Sequence, residues 1–552
     1  LSKKIPSFLE RVGSYLATIE ITGKVVDEQG LPLPGATVTV KGGGVTASTD
    51  KDGRYSIKLP EGNVVLVYSY IGFVSQEITI GAGDKVLNVT LKASDQSLDE
   101  LVILGFGQTQ KKIAQTGSSV SIGLKELKQS PTANITNALA GRLPGLTAIQ
   151  ISGEPGNDKS QLLIRGRATV NGQEPLITID GVKKDYRAIS LLDVNEIENI
   201  TILKDASATA LYGVKGANGV IIVTTRRGKQ GKPTVSASVQ RAVQTTIRLP
   251  EYVDSYNYAV LANEAYLNDH PAAEMPPYNA EALEAYRTGS DPYKYPNVDW
   301  FDEMMKPAMQ TQANFNISGG GQQSRYFVNV GYTDQGGIYK TEKDPKYDPT
   351  SSFKRYNFRS NVDIDFDDNF SMSLNLFGAI ENKKDPNISV ADLFWTLNQI
   401  PPNAFPVKFP TGSYGEKGFI NPARFLNQSG FRESFNSSLS GMLSLTRKLN
   451  FITPGLTLKG NYSFDGYFQN DFRRSKSVMT ADYKGLGDYN DPASYTYKGI
   501  DAPLSAPTSA FNQKRDVWMD VSLNYTKQYK DHGFTGLLLV NRAQEVIGNQ
   551  VP

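Results

Sequence analysis

Between Arg355 and Phe366 the chain reads RYNFRSNVDIDF. Odd positions carry Arg355, Asn357, Arg359, Asn361, Asp363 and Asp365. Even positions carry Tyr356, Phe358, Ser360, Val362, Ile364 and Phe366. A period of two is that of a β-strand, whose side chains point alternately to opposite faces. This strand therefore has one strongly polar face and one mostly apolar face. A soluble sandwich accepts that pattern by burying the apolar face. A membrane barrel accepts it by turning the apolar face to lipid and the polar face to the lumen. The same rhythm recurs downstream. In LTLKGNYSFD, Leu456, Leu458, Tyr462 and Phe464 alternate with Thr457, Lys459, Asn461, Ser463 and Asp465. In DVWMDVSLNYT, Val517, Met519, Val521, Leu523 and Tyr525 share a face, and ANFNISGG, YFVNVGYT, FSMSLNLFG and SLSGMLSLT repeat the theme. Ionisable groups on one face, with aromatics near the ends of the other, favour the barrel. So do the connections: DFDDNF is a tight turn, whereas Ile380 to Glu433 is a long excursion. Outer-membrane barrels have short turns on one side and long loops on the other.

Bulk properties narrow the function classes. No apolar run approaches the roughly 18–20 residues of a membrane helix; the longest are VVLVY (Val64–Tyr68) and GLLLV (Gly536–Val540). The formal net charge is +2, far from the strongly basic balance of a nucleic-acid binder. There is no cysteine, and the only histidines, His270 and His532, lie far apart. Disulfides, thiolate metal sites and a Ser-His-Asp triad therefore have little support. With 56 acidic residues, no carboxylate pair can be singled out as a glycosidase couple. We expect no catalytic residue, cofactor or metal, and no enzyme.

Upstream of the alternating region the chain changes character three times. Residues 1–18 form a short amphipathic tail. Residues 19–93 read as a small sandwich of about seven short strands, with ATVTV and RYSIKL alternating and Asp52-Gly53 as a hairpin signal. Residues 94–112, beginning SDQSLDELVILGFGQTQKK, form a linker with one strand-capable patch at Leu101–Leu104. Such a patch either adds to a partner's sheet edge or closes the preceding sandwich. Residues 113–232 are mixed α/β. QLLIRG, PLITIDG, IENITILK and NGVIIVTT read as strands. NITNALAGRLPG reads as a short helix capped by Asn134 or Thr136. DASATALYG reads as a helix starting at Asp205 and closing at Gly213.

Three motifs invite chemistry. LYGVKGANGVIIVTTRRG spaces Gly213, Gly216 and Gly219 three apart, but these glycines precede a strand and no Lys-Ser/Thr pair closes the loop. Tight turning explains them better than a phosphate cradle. DIDFDDN has alternating acids, yet Asp368 stands where a calcium loop needs glycine; a lumen lining and a solvated turn are the expectation. DPYKYPNVDW offers Tyr293, Tyr295 and Trp300, suited to stacking on sugar rings but expected chiefly to pack.

ALAGRLPGLTAIQISGEPG, LIRGRATVNGQEPLITIDGV and NEIENITILKDASATALYGVKGANGVIIVTTRRGK resemble the plug of the TonB-dependent outer-membrane transporters. The closest resemblance is to the SusC-like (SusC/RagA type) branch of Bacteroidetes. GSDPYKYPNVDWFDEMM and ANFNISGGGQQSRYFVNVGYTDQGGI resemble that branch's first barrel strands and loop. SLDELVILGFGQTQKK resembles its TonB-box region. GKVVDEQGLPLPGATVTVKG, TDKDGRYSI and YIGFVSQEITI resemble a carboxypeptidase-regulatory-like sandwich. The implied fold is mainly β: that sandwich, an α/β plug (113–232), and over 233–552 the N-terminal part of a transmembrane antiparallel barrel of about 22 strands. About nine to eleven strands fit the available length, and the chain ends NQVP, so a C-terminally truncated barrel is expected. The resemblance implies active import of an oligosaccharide or peptide across the outer membrane, with the sandwich in the periplasm. Asp99, Glu100, Leu101, Val102, Ile103 and Leu104 would bind TonB, working with ExbB/ExbD. A SusD-like lipoprotein would cover the mouth. Arg165, Gly166, Asp180, Gly181, Tyr212, Gly213, Gly216, Asn218 and Gly219 would shape the plug. The alternative is a binding or signalling receptor that uses the sandwich as a periplasmic interaction module.

Overall fold

The computed structural model describes residues 18–548, except 29, 42–44, 61–63, 71–72, 82–85, 93–100, 106–107, 112–118, 131, 168–173, 206–208 and 530–531. The tail up to residue 17, and Asp99 and Glu100, lie outside the described residues. The chain divides into two compact units, residues 1–103 with 109–115, and residues 104–108 with 116–552.

In the first unit, β1 (Thr18–Val26), β2 (Thr37–Val40), β3 (Thr46–Ser48), β4 (Arg54–Pro60), β5 (Val64–Ser69), β6 (Gln76–Ile80) and β7 (Val89–Thr90) form two sheets. Their orders are β4-β1-β7 and β3-β2-β5-β6. Alternation fixes the faces: in β4, Tyr55, Ile57 and Leu59 are buried while Arg54, Ser56 and Lys58 are exposed. The Tyr55 and Tyr68 rings meet edge-on at 5.6 Å, and their hydroxyls hydrogen-bond at 2.7 Å, satisfying two polar tips inside an apolar core. The Asp52-Gly53 turn exists, with Asp50 Oδ1 accepting from the Asp52 and Arg54 amides. It does not close a hairpin, however. It carries the chain from β3 in one sheet to β4 in the other. Turn chemistry specifies a reversal but not the strand that receives it. Next in the chain, β8 (Leu101–Gly105) and β9 (Gln108–Lys111) pair as a two-stranded sheet.

The second unit begins with β10 (Ser119–Gly123), β11 (Leu146–Gln150), β12 (Ser160–Ile164), β13 (Leu176–Ile179), β14 (Val182–Lys184), β15 (Ile197–Leu203) and β16 (Val220–Thr225). Five of them form a sheet ordered β10-β15-β16-β13-β14, and β11-β12 is a separate hairpin. The central strand β16, VIIVTT, is buried at five of its six positions; a continuous apolar run without alternation is what a strand covered on both faces requires. The helix expected in NITNALAGRLPG is a single turn, Ile135–Ala138, and Asn134 rather than Thr136 caps it. The helix expected to end at Gly213 is 3-10 in character and does break there: Gly213, at φ 57° and ψ −148°, separates two short helical pieces within Ala210–Gly216.

The remainder is one antiparallel sheet. Among the described residues its strands, in order, are β17 (Gly231–Gln244), β18 (Ala308–Gly320), β19 (Ser324–Gly336), β20 (Ser352–Asp367), β21 (Phe370–Pro386), β23 (Gly430–Lys448), β24 (Leu456–Ser475), β27 (Thr508–Tyr529) and β28 (His532–Ile547). Short strands β22 (Tyr414–Gly415), β25 (Thr480–Tyr483) and β26 (Tyr495–Lys498) form a separate sheet within the connections. The alternation that defines β20 is realised inside out. Arg355, Asn357, Arg359 and Asn361 are buried, whereas Tyr356, Phe358 and Phe366 are 47%, 44% and 52% exposed. Apolar outward and polar inward is the pattern of a lipid-embedded sheet. Connections alternate strictly. Among the described residues, short turns span 321–323, 368–369 and 449–455; long ones span 245–307, 337–351, 387–429 and 476–507. The long excursion thus starts later than Ile380 and ends before Glu433, because β21 and β23 extend to Pro386 and from Gly430.

The long connections fold into helices with side-chain N-caps, Asp254, Asn279, Asp299, Ser389 and Asn421. Those capped by Asp299, Ser389 and Asn421 pack around Trp300, Phe301, Leu393, Leu397 and Leu426, and those capped by Asp254 and Asn279 around Ala259, Ala282 and Tyr286. Trp300 is therefore core, edge-on to Phe405 at 5.7 Å, and Tyr293 packs against Phe409 and Tyr489.

A lysine at Phe358, midway along the outward face of β20, is expected to destabilise the inserted protein by about 2–4 kcal/mol. Reversible urea unfolding in lipid vesicles checks this, with a lysine at Ser360 on the same face as a second probe.

Candidate functional site

The inward face of β20 meets the plug residue by residue. Arg355 donates to the Ser190 and Ala133 carbonyls at 3.1 and 2.9 Å, and Asn357 donates to the Leu191 carbonyl at 2.5 Å. Arg359 Nε donates to Glu196 Oε2 at 2.8 Å. Asn361 donates to Thr225 Oγ1 and the Arg226 carbonyl at 2.8 and 2.7 Å. Asp363 accepts from Arg227 at 2.5 Å. Five successive inward positions thus grip segments of the plug that are remote from one another in sequence.

Glu196 is the centre of this seam. It ends the 3-10 turn Val194–Glu196, capped by Asp193, and leads into β15. Its side chain is 0% exposed, and that of Arg359 is 4% exposed. Complete burial pushes the Glu196 carboxyl above the usual carboxylate range, and the Arg359 guanidinium pulls the other way. A buried pair of this kind adds little to stability compared with an apolar pair. Removing one partner alone, by contrast, costs roughly 3–5 kcal/mol because a charge is stranded. It therefore fixes where the plug sits more than how stable the plug is.

Further along the wall the contacts are made by longer side chains. Lys184 reaches Asp465, Ser440 and Ser463 at 2.7, 3.1 and 2.9 Å. Arg187 pairs with Glu381 at 3.1 Å and lies 3.7 Å over the Tyr467 ring. Lys383 bridges plug Glu154 and wall Asp385 at 3.1 and 2.9 Å.

The plug-shaping positions expected from sequence fall at its corners. Asp180 and Gly181 form the two-residue turn between β13 and β14 with φ of 52° and 87°, a geometry that Asp-Gly supplies at low cost. Asp180 also accepts from the Thr225 amide and hydroxyl at 2.9 and 2.6 Å, tying the hairpin to the end of β16. Arg165 (φ 58°) and Gly166 follow β12, and Arg165 pairs with Asp205. Gly219 supports a positive φ beside Ile164, Asn218 Nδ2 donates to the Glu174 carbonyl at 3.5 Å, and Tyr212 and Gly216 lie in the 3-10 segment. Gly228, not singled out in sequence, is where the chain leaves the plug. A Cβ there would lie 2.3 Å from the Tyr326 amide nitrogen and 2.6 Å from the Gly319 carbonyl oxygen, so only glycine passes between β18 and β19. Of the TonB-box positions, Leu101–Leu104 lie in β8. Among the described residues no group of acids and histidines could hold a metal. Asp363, Asp365 and Asp367 of DIDFDDN pair with Arg227, Arg325 and Arg447.

A plug seated on the polar face of a lipid-facing sheet defines a class, the plugged outer-membrane barrels. Comparison with known proteins agrees. Residues 21–103 match a CarboxypepD_reg-like domain, and residues 111–220 match the TonB-dependent Receptor Plug Domain. TonB-dependent receptor P39 of Formosa agariphila is 33% identical over 543 residues, 95% of this chain and 46% of that protein. TonB-dependent receptor P26 of the same organism is 36% identical over 354 residues, 63% of this chain and 33% of that protein. TonB-dependent receptor SusC of Bacteroides thetaiotaomicron is 33% identical over 374 residues, 66% and 34%. The solved RagAB peptide importer in its open-open state shares the fold, with a TM-score of 0.57 at 21% identity over 81% of this chain and 50% of that one. The chain belongs to the SusC-like TonB-dependent receptors, outer-membrane proteins that are receptors and transporters rather than enzymes. It spans between a third and a half of the length of these relatives.

Replacing Arg359 by Met is expected to loosen the plug by roughly 3–5 kcal/mol, and adding Glu196→Leu should restore much of the loss. Hydrogen exchange of residues 197–203 in the single and double variants checks this. Equal exchange in the single variant and the parent would contradict it.

Proposed function

We propose that this chain is the plug-bearing part of an energy-coupled importer that takes up an oligosaccharide or peptide across the outer membrane. The observation that carries this reading is the seam on β20. A polar plug fills the polar side of a membrane sheet through bonds that are individually modest and directionally specific, so the plug can be displaced and then reseated.

Force would enter at Asp99–Leu104. An apolar, β-branched strand offers main-chain groups to the sheet edge of a partner. TonB, working with ExbB/ExbD, would be the partner there. The pairing of β8 with β9 supports the strand-forming character of Leu101–Leu104. A SusD-like lipoprotein over the long-loop end completes the assembly, and the sandwich lies in the periplasm. No covalent chemistry is required. In the alternative reading the protein is a receptor that signals through the sandwich; it has no specific structural observation in its favour.

Deleting residues 98–104 is expected to abolish uptake while leaving insertion and surface binding intact. The check is radiolabelled uptake from a panel of oligosaccharides and peptides, with heat-modifiability on gels as the insertion control. Uptake at the parental rate by a correctly inserted deletion variant would retire the coupling role.

A further inference from the structure

Three charged side chains stand on the lipid side of the sheet where the rest of that side is uncharged. From β18 to β21 the arginines and most acids point inward. Among the described residues the outward positions carry only Asp334, Lys354 and Lys384 as charged groups. All three lie at the strand ends that meet long connections. A charge on a lipid-facing strand is costly at the bilayer midplane and nearly free at the interface. Long loops of outer-membrane barrels face the exterior, so these side chains stand at the headgroup level of the outer leaflet.

The strand register arranges them into a square. Lys354 lies directly opposite Asn382, and Ser352 directly opposite Lys384. The two lysines are diagonal neighbours, whose Cβ atoms stand about 7–8 Å apart in an antiparallel pair. Both ammonium groups can therefore reach one phosphate between them, with the Asn382 amide and the Ser352 hydroxyl as further donors. Lys354 is exposed and makes no hydrogen bond or ion pair among the described residues. It faces Asp334 across β19 without pairing with it. Lys384 touches Glu433 loosely, at 3.8 Å. Arg241 continues the row through Thr311, so three cations stand against two acids.

Below the square the outward surface turns aromatic and apolar. Tyr356 and Ile380 lie opposite each other and are 47% and 43% exposed. The Tyr332 ring is 5.1 Å from that of Tyr356. Tyrosine favours the boundary between headgroups and hydrocarbon. Donors above and apolar surface below match one lipid molecule, headgroup over acyl chain. A free phosphate ion would use the upper half alone.

We propose that Ser352, Lys354, Asn382 and Lys384 seat the phosphate of a phosphorylated outer-leaflet lipid, with its acyl chain along Tyr356 and Ile380. Lysine suits the place, since its apolar stem follows the strand while the ammonium rises to the phosphate. The seat lies on the face of β20 opposite the plug. It requires the membrane placement and does not rest on the import reading.

The test is native mass spectrometry of the purified protein in detergent, titrated with lipid A and with lipid A stripped of its phosphates. The parent is expected to prefer lipid A. Lys354→Gln and Lys384→Gln should each weaken lipid A binding about fivefold, and the double variant about twenty-fivefold, near the contribution of a basic side chain at an anionic lipid surface. Neither variant should change binding of the stripped lipid, and Lys354→Arg should keep the preference. Lys527→Gln removes an outward lysine at the short-turn end of β27 and should have no effect. Heat-modifiability on gels reports folding; should the double variant lose it, the single variants decide. Equal affinity of the parent for the two lipids, an equal loss in Lys527→Gln, or displacement of lipid A by inorganic phosphate at the same concentration overturns the assignment.

Discussion

The contact on which the rest of this structure depends is the ion pair between Arg359 of the wall and Glu196 of the plug, 2.8 Å apart and cut off from water. A charged side chain on a membrane strand survives only if it points away from lipid and finds a partner. Arg359 meets both conditions at once, and its neighbours at every second residue do the same with main-chain carbonyls and side-chain oxygens. The lipid-facing side of β20 can therefore be mostly apolar because its other side is largely matched by the plug. That matching gives the plug one seat rather than many. Wall and plug specify each other through these polar contacts, and Phe377 and Ala379 of β21 join the plug's apolar core.

The seat is unequal around the wall. Along β20 the bonds are short and buried, and the chain exits at Gly228 into the same part of the sheet. Along β23 and β24 they are made by long flexible side chains such as Lys184 and Arg187, next to open volume. Both side chains are largely buried, with Lys184 7% and Arg187 26% exposed.

Much of the fold was legible in the sequence because strand periodicity is local. RYNFRSNVDIDF states its two faces within a dozen residues, and β18 to β21, β23, β24 and β27 fall where alternating segments were read, whereas β17 and β28 were not read as such. The positions of plug strands β12, β13, β15 and β16 were legible for the same reason, as was the Asp180-Gly181 turn once IDG was noticed. What was not legible is non-local. Glu196 and Arg359 are 163 residues apart, and nothing in either neighbourhood names the other. Asp52-Gly53 announced a turn but not the sheet it leads to. The stop at Gly213 read from DASATALYG is real, since its non-helical backbone breaks the helix, but the further short piece up to Gly216 had no signal. Gly228 looked like one glycine among many. Its importance comes from backbone atoms of β18 and β19, about a hundred residues downstream.

The central claim is that β20 is inside out, apolar to lipid and polar to the plug. The chain has no cysteine of its own, so single cysteines at each position from 355 to 364 report independently. The measurement is labelling of the membrane-inserted protein with a lipid-soluble maleimide. The account predicts labelling at 356, 358, 360, 362 and 364 and protection at 355, 357, 359, 361 and 363, with the protected set becoming reactive once the plug is unfolded in urea. Uniform labelling, or protection of the even set, would contradict it.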